Sequence, residues 1–462
     1  MWLKKIFKRQ PSPRGQVDRA RPGIAPPDPT IIPRAEHGVS RANISDRALK
    51  VLYRLRQAGY QSYLVGGGVR DLLLGREPKD FDIATDAHPE EVKALFRNCR
   101  LIGRRFRLAH VHFGREIIEV ATFRAQHDGN HGDARHSKDG RILRDNVYGD
   151  LDDDVWRRDF TINALYYNID DFSIVDYVGG FEDIQAGRLR FVGVPETRYR
   201  EDPVRMLRAV RFAAKLGFTI DPATADPIPK MAPLLGEVPS ARLYEEVLKL
   251  LQGGCALETY EQLRHYSLFG QLFPEVEEAL GEEDEGYPRL LLMRALENTD
   301  ARLAEGKPVN PAFIFAALLW ELQQRQERQL LERGVLPQEA SQSAAAEVIG
   351  QQTRTVSVPR RVTQMVREIW ELQPRLLRPR PAQARRLLEN PRFRAAYDFL
   401  LLRAEVQQDL RAMAEWWTGF QHADHDRQEA MLASFGGSGS GRKPRRRRRR
   451  RPRVRQASDA GE

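Results

Sequence analysis

Asp80 and Asp82 stand two apart in the stretch Asp80-Phe81-Asp82-Ile83-Ala84-Thr85, which has the alternation of a strand. Side chains two apart on a strand share a face, so the pattern predicts two carboxylates projecting together. Adjacent carboxylates repel unless a cation lies between them. Upstream, the apolar run Tyr63-Leu64-Val65 breaks at Gly66-Gly67-Gly68, and a short apolar helix follows from Val69 to Leu74, stopped by Gly75. A glycine turn lets backbone N–H groups approach a guest closely, and phosphate is the usual guest. Strand, glycine turn, helix and Asp-x-Asp strand therefore predict a metal-and-phosphate site with Asp80 and Asp82 as metal ligands. Mg²⁺ suits them, because it takes one or two carboxylates and completes its shell with water and substrate phosphate. In a two-metal site one ion activates a hydroxyl and the other steadies a leaving pyrophosphate. Gly67 and Arg70 are placed to offer backbone and guanidinium to a triphosphate. The plain alternative is a pair of edge-strand charges beside an ordinary tight turn, since neither a Gly-x-Gly-x-x-Gly nor a Walker pattern is present.

Two further groups lie downstream. In Arg157-Arg158-Asp159-Phe160-Thr161-Ile162-Asn163, Asp159 and Asn163 are four apart and are expected to share a helix face. Arg158 beside them lets a guanidinium, a carboxylate and an amide converge on phosphate and ribose hydroxyls. A surface ion pair explains the spacing equally well. In Glu201-Asp202-Pro203-Val204-Arg205-Met206-Leu207-Arg208-Ala209-Val210-Arg211, Asp202 is the expected N-cap and Pro203 the first helical residue, with Gly217 ending the helix. Arg205, Arg208 and Arg211, spaced by three, then fall on about a third of the circumference. Aligned arginines suit a polyanion or a base edge, and a solvated charged face is the alternative.

The elements that must hold these groups follow from patterning. The 462 residues, 41% hydrophobic and 30% charged, suffice for two or three soluble domains. No apolar run approaches the ~18 residues of a spanning helix. Met1 to Arg9 is too short and interrupted for a secretory signal; it is basic and aromatic enough to brush a membrane surface, and its brevity favours a disordered start. Cys99 and Cys255 form no disulfide or metal pattern, which suits a reducing cytoplasm. Residues 1–43 read as a Pro/Arg-rich arm, and order is expected from Ser45, the N-cap of an amphipathic helix. Helices alternate with short strands to about residue 180, an α+β head over 44–180. Helical patterns such as 242–251, 312–322 and 393–405 then predict an all-α neck over 181–265 and body over 266–430. The loop 126–145 carries His127, His131 and His136, without the spacing of a zinc site. Residues 431–462 begin as a Gly/Ser linker and end in a disordered tail with eleven Lys or Arg between Arg442 and Arg455. Without that segment the net charge of +10 becomes −1, so the basicity belongs to the tail. It predicts sequence-independent, salt-sensitive attraction to phosphate, with a solvated disordered tail or an acidic protein partner as the alternatives.

Taken together, Leu-Val-Gly-Gly-Gly-Val-Arg-Asp (64–71), Asp-Phe-Asp (80–82), Arg-Arg-Asp-Phe-Thr-Ile-Asn-Ala (157–164) and Glu-Asp-Pro-Val-Arg-Met-Leu-Arg (201–208) resemble the class II nucleotidyltransferase superfamily, the bacterial poly(A) polymerases and CCA-adding enzymes. The resemblance covers roughly residues 45 to 265. It implies a polymerase-β-like nucleotidyltransferase head, and transfer of a nucleoside monophosphate from NTP to an RNA 3′-hydroxyl without a template. It further implies Mg²⁺, or Mn²⁺ in its place, at Asp80 and Asp82, and triphosphate at Gly67 and Arg70. Arg158, Asp159 and Asn163 would meet ribose and phosphates, while Asp202 and Arg205 meet the base edge with Arg208 and Arg211 in support. Asp159 is the first choice for a third catalytic carboxylate and Glu119 its competitor. The segment Leu101 to Val111 resembles the signature that separates poly(A) polymerases from CCA-adding relatives, which favours AMP addition from ATP. CCA addition to tRNA and a non-catalytic RNA-binding role are the alternatives.

Overall fold

A computed structural model describes residues 28–436 apart from 104–106, 126–134, 137–141, 145–146 and 282–286. Most of the arm, His127, His131 and the basic tail therefore lie outside the described residues. The chain divides into two compact units, Met1–Glu277 with Arg354–Ser357, and Glu278–Thr353 with Val358–Glu462.

The first unit is built on a sheet. Its strands in chain order are β1 (Thr30–Ile32), β2 (Ser62–Val65), β3 (Asp82–Thr85), β4 (Cys99–Ile102), β5 (Leu108–Phe113) and β6 (Glu116–Thr122); a separate hairpin, β7 (Arg135–His136) and β8 (Ile142–Arg144), precedes β9 (Leu165–Asn168) and β10 (Ile174–Asp176). The main sheet runs β1-β10-β9-β2-β3-β6-β5-β4 and is antiparallel except where β3 pairs with β6. Its helices include α1 (Asp46–Gln57), α2 (Gly67–Leu73), α3 (Pro89–Leu95), α4 (Leu151–Trp156) and α5 (Gly180–Gln185), followed by α6 (Pro195–Glu201) and α7 (Val204–Leu216). Ser45 caps α1 as expected, its hydroxyl accepting from the Arg47 N–H, and Ala48, Val51, Leu52 and Leu55 face the interior. Val65, Ala84, Phe123, Val155, Ala164, Tyr166, Val175 and Val192 form a core that fixes the β2–β3–β9 region and α4 together. The fold is α+β.

Four local expectations are corrected. Ordered chain starts ahead of Ser45, because Thr30–Ile32 from within the arm pairs with Ile174–Asp176 as an edge strand. β3 begins at Asp82, so Asp80 precedes it and is exposed; β2 ends at Val65, opposite Asp82, which leaves Asp80 no strand partner. The segment carrying Asp159 and Asn163 is not helical: α4 stops at Trp156, Thr161–Asn163 make a single 3₁₀ turn, and Thr161 and Val192 N–H groups bond to the Arg190 and Asp159 carbonyls. Asp202 does not cap α7. It closes α6, donating its N–H to the Arg198 carbonyl, while Arg242 takes its carboxylate at 2.7 Å.

The second unit is helical, with Pro311–Leu318, Trp320–Glu332, Pro337–Thr355, Arg360–Leu377 and Phe393–Val406 among its helices; the expected helix over 312–322 breaks at Leu319.

Candidate active site

Sheet register assembles the carboxylates. Val65, Asp82, Glu119 and His110 are cross-strand partners in one row over β2, β3, β6 and β5. Asp82 is largely buried, and that burial, with Glu119 and Asp80 adding negative charge, pushes its carboxyl up to about 6 against the pull of Arg158. Glu119 accepts a 3.2 Å contact from His110 Nε2. Among the described residues no three His, Cys, Asp or Glu side chains close a metal site by themselves. The donor set of hard carboxylate oxygens, one raised chiefly by burial and next by Glu119, fits a divalent cation whose remaining ligands come from water and phosphate.

The turn that brings α2 to these carboxylates depends on Gly66, held at φ 70° and ψ −137°, where a side chain is strained. A Cβ there would also lie 3.5 Å from Arg158 Nη1. Gly66→Ala is expected to cost about 1–3 kcal/mol of stability, from the strained backbone, and to lower the rate of AMP transfer; denaturant melts and single-turnover assays check both. Behind the turn, Arg70 is buried and donates through Nη1 to Asn163 Oδ1 at 2.7 Å and through Nε and Nη2 to Asp71.

Asn163 passes the chain on. Its Nδ2 donates to Asp159 Oδ1 at 3.2 Å, which also accepts from the Phe160 N–H, while Asp159 Oδ2 accepts from Arg208. Burial alone would raise the Asp159 carboxyl, but Arg208 and these hydrogen bonds override it and hold it near 2. Arg208, Arg70 and Arg211 surround the Phe212 ring with guanidinium carbons 5.3, 5.2 and 4.8 Å from its centroid. A linked network thus runs from the glycine turn through the Arg-Asp segment to α7. Asp159 and Asn163 meet as the spacing suggested, though over a bend and a 3₁₀ turn.

The other predicted residues are placed differently. Arg158 reaches the Tyr166 hydroxyl (2.7 Å), Asp154 (2.9 Å) and the Asn163 carbonyl (3.3 Å). Arg205 turns back to Glu201 (2.7 Å) and the Arg198 carbonyl (2.9 Å) rather than aligning with Arg208 and Arg211. Asp202 Oδ1 and Arg211 Nε are buried without a hydrogen-bond partner among the described residues. Each is an unsatisfied buried group that a ligand could satisfy. Arg157 and Arg198 were not singled out from sequence. Burial first, then neighbouring guanidinium groups, lowers Arg157 to about 9 and Arg198 to about 10. Crowded cations of this kind favour a polyanionic guest. Asp154, which anchors Arg158, was legible in principle, because it lies four residues upstream at helical spacing.

A sheet that sets carboxylates of β3 and β6 in register beside a glycine turn, with an arginine-rich neck helix behind, defines a class II nucleotidyltransferase. Family models agree: poly A polymerase head domain over residues 62–190, probable RNA and SrmB-binding site of polymerase A over 217–280, and polymerase A arginine-rich C-terminus over 333–453. The poly(A) polymerase I of Salmonella typhimurium is 50% identical over 437 residues, covering 93% of both chains. The CCA-adding enzyme of Bacillus subtilis is 42% identical over 223 residues, 48% of this chain and 54% of its own. Among solved structures, the Bacillus stearothermophilus CCA-adding enzyme in complex with CTP superposes with a TM-score of 0.53 at 28% identity, over 84% of this chain and 91% of its own. The chain belongs to the poly(A) polymerase I family. It is a polynucleotide adenylyltransferase that extends RNA 3′ ends with AMP from ATP without a template, using a divalent metal. No helix among the described residues is long and apolar enough to cross a membrane.

Proposed function

We propose that AMP transfer occurs where Asp80, Asp82 and Glu119 hold Mg²⁺, with Mn²⁺ able to replace it. The observation that carries this reading is the β3–β6 register, which sets Glu119 level with a largely buried Asp82 whose carboxyl is pushed up by burial and by Glu119. The metal, when bound, activates the RNA 3′-hydroxyl and neutralises charge on the leaving pyrophosphate. Asp159, engaged by Arg208, acts through the network that fixes Arg70, Asn163 and Arg208 against the ATP triphosphate and ribose. Gly67, at the start of α2, lets its backbone approach the phosphates, and Arg158 supplies positive charge facing Asp82. The vacant Asp202 oxygen accepts from the adenine amino group and Arg205 donates to the adjacent ring nitrogen. Arg211 lends its unpartnered donor to the same edge. The residues named would hold the attacking hydroxyl and the pyrophosphate in line, positioning rather than reacting covalently.

Labelled ATP or CTP offered to unstructured RNA and to tRNA lacking its 3′ end tests the reading. Long adenosine tails on both RNAs are expected; addition that uses CTP and stops after three nucleotides would overturn it. Glu119→Gln is expected to lower kcat by about 10²–10³, on the order of several kcal/mol of lost charge stabilisation, and to raise the Mg²⁺ concentration for half-maximal rate. Metal titrations of the variant check this. A cytoplasmic setting accords with the unbridged Cys99 and Cys255. The basic tail and the N-terminal segment offer contact with RNA-decay proteins and with a membrane surface respectively.

A further inference from the structure

The helical unit carries a solvent-open pocket of about 250 Å³, lined by none of the residues assigned above to AMP transfer. From the helix Trp320–Glu332 it is lined by Trp320, Gln323, Gln324 and Glu327; from Arg360–Leu377 it is lined by Trp370, Gln373, Pro374 and Leu377. Both sets recur at i, i+3, i+4 and i+7, the stripe that a helix turns toward its neighbours and fills with apolar side chains. Farther up the second helix that rule holds, with Val362, Val366 and Ile369 buried. At the cavity the stripes mix Trp320, Trp370, Pro374 and Leu377 with three amides and a carboxylate.

These groups form a built wall. Gln323 and Gln373 are each 1% exposed, and Arg403, from Phe393–Val406, is 6% exposed. Gln323 donates to Glu327 at 2.7 Å and accepts from Gln324 at 2.6 Å; Gln373 accepts from Arg403 at 3.1 Å, and Arg403 lies over the Trp320 ring at 4.6 Å. Burying such groups costs stability unless they are satisfied, and here each fixes the next. Pro374 has no N–H, so it withholds the helix donor from the Trp370 carbonyl. The second Glu327 oxygen, the Gln324 carbonyl, the Ser341 hydroxyl and the Arg378 guanidinium have no hydrogen-bond partner among the described residues.

We propose that this cavity binds one adenine ring. Trp320 and Trp370 line the pocket as buried aromatics, with Arg403 and Phe399 already against the Trp320 ring, so a flat aromatic guest meets their edges rather than stacking between them. The volume falls below the ~300–1,000 Å³ of sites for drug-sized ligands, so one base fits with its sugar outside. The second Glu327 oxygen and the Gln324 carbonyl are the acceptors in this lining without a partner among the described residues, and they call for an amino group. A hydroxyl from the helix Pro337–Thr355, Ser341, is available to an adjacent ring nitrogen. Adenine presents that amino-plus-acceptor edge, and a glutamine amide is its usual side-chain partner. The ring comes either from the adenosine tail or from a free adenine nucleotide. Only the first source rests on the polyadenylation reading.

The test is equilibrium binding by the full chain without metal, with oligo(A), oligo(U) and AMP as probes, in wild type, Gln324→Leu and Ser341→Ala. Each variant is expected to weaken oligo(A) binding about tenfold, the loss of one base-edge pair, and to leave oligo(U) binding unchanged, which also reports intact folding. An azidoadenosine-labelled oligo(A) is expected to crosslink within residues 320–341 in the absence of added nucleotide. Competition of that crosslink by AMP identifies a free-nucleotide site, and competition by oligo(A) alone identifies a tail site. Equal losses for oligo(A) and oligo(U), or crosslinks confined to residues 62–265, would overturn the proposal. AMP incorporation on a primer without adenosines, measured alongside, reads the transfer reaction independently.

Discussion

Replacing Asp82 with asparagine is expected to abolish AMP incorporation while making the metal-free protein more stable above pH 6. The two effects share a cause. Burial and the facing Glu119 hold the folded Asp82 carboxyl at about 6 against an ordinary 3.8. A carboxyl whose pKa rises on folding binds its proton more tightly in the native state. Its contribution is therefore fully present below pH 3.8 and is lost as pH climbs through 6. The cost at pH 8 is on the order of 3 kcal/mol, at about 1.4 kcal/mol per pKa unit. Asparagine carries no charge to desolvate and escapes that cost. It also removes a ligand whose charge the reaction needs, so the rate should drop by at least ~10³, the equivalent of several kcal/mol of metal stabilisation. Denaturant melts of wild type and variant at pH 3.5 and pH 8, without metal, supply the check. The stability gain should appear only at the higher pH, and added Mg²⁺ should stabilise wild type far more than the variant. A variant less stable than wild type at pH 8 would show that the Asp82 charge is compensated within the protein itself.

Much of this site was legible because its parts are local. The glycine turn and the short helix after it depend on a few adjacent residues, and the positive φ of Gly66 is what three consecutive glycines announce. Glu119 was named from sequence only as the competitor of Asp159; its level with Asp82 was not legible, because it comes from the parallel β3–β6 pairing. Sequence patterning finds strands but not which of them become neighbours. The helical reading of the Asp159 segment followed a spacing of four and underweighted Phe160, Thr161 and Ile162, aromatic and β-branched residues that favour extended chain. The segment instead ties to the strip around Phe191, where Phe160 bridges and the two rings meet edge to face at 4.8 Å. Asp202 misled differently. An Asp-Pro pair before a helix satisfies the capping rule, but Arg242, forty residues on, claims the carboxylate. Long-range arginine partners of this kind leave no mark in local pattern.

Asp159 supplies the sharper test of how the site is divided between metal and network. Each amide in the network has one workable orientation. Asn163 must turn its oxygen to Arg70 and its NH₂ to Asp159, and Asp159 must accept from Asn163, Phe160 and Arg208 at once. An asparagine at 159 can offer oxygen to Arg208 or to Asn163 and Phe160, but not to both. One donor then faces another, so Asp159→Asn is expected to cost about 1–3 kcal/mol. Asp159→Ala leaves Arg208 without its carboxylate. Breaking a fully buried pair costs about 3–5 kcal/mol, and the partial exposure of Arg208 brings this to roughly 2–4 kcal/mol. Since Arg208 and the hydrogen bonds hold the Asp159 carboxyl near 2, its contribution is present above pH 3.8 and is lost only as pH falls toward 2. Both variants should therefore be destabilised across the neutral range, as urea melts will show. In kinetics, loosened Arg70 and Arg208 should raise KM for ATP while the Mg²⁺ concentration for half-maximal rate stays put. Glu119→Gln should do the reverse. If Asp159→Asn shifts the metal requirement and Glu119→Gln does not, then Asp159 is the third carboxylate and the β3–β6 row contributes only its aspartate.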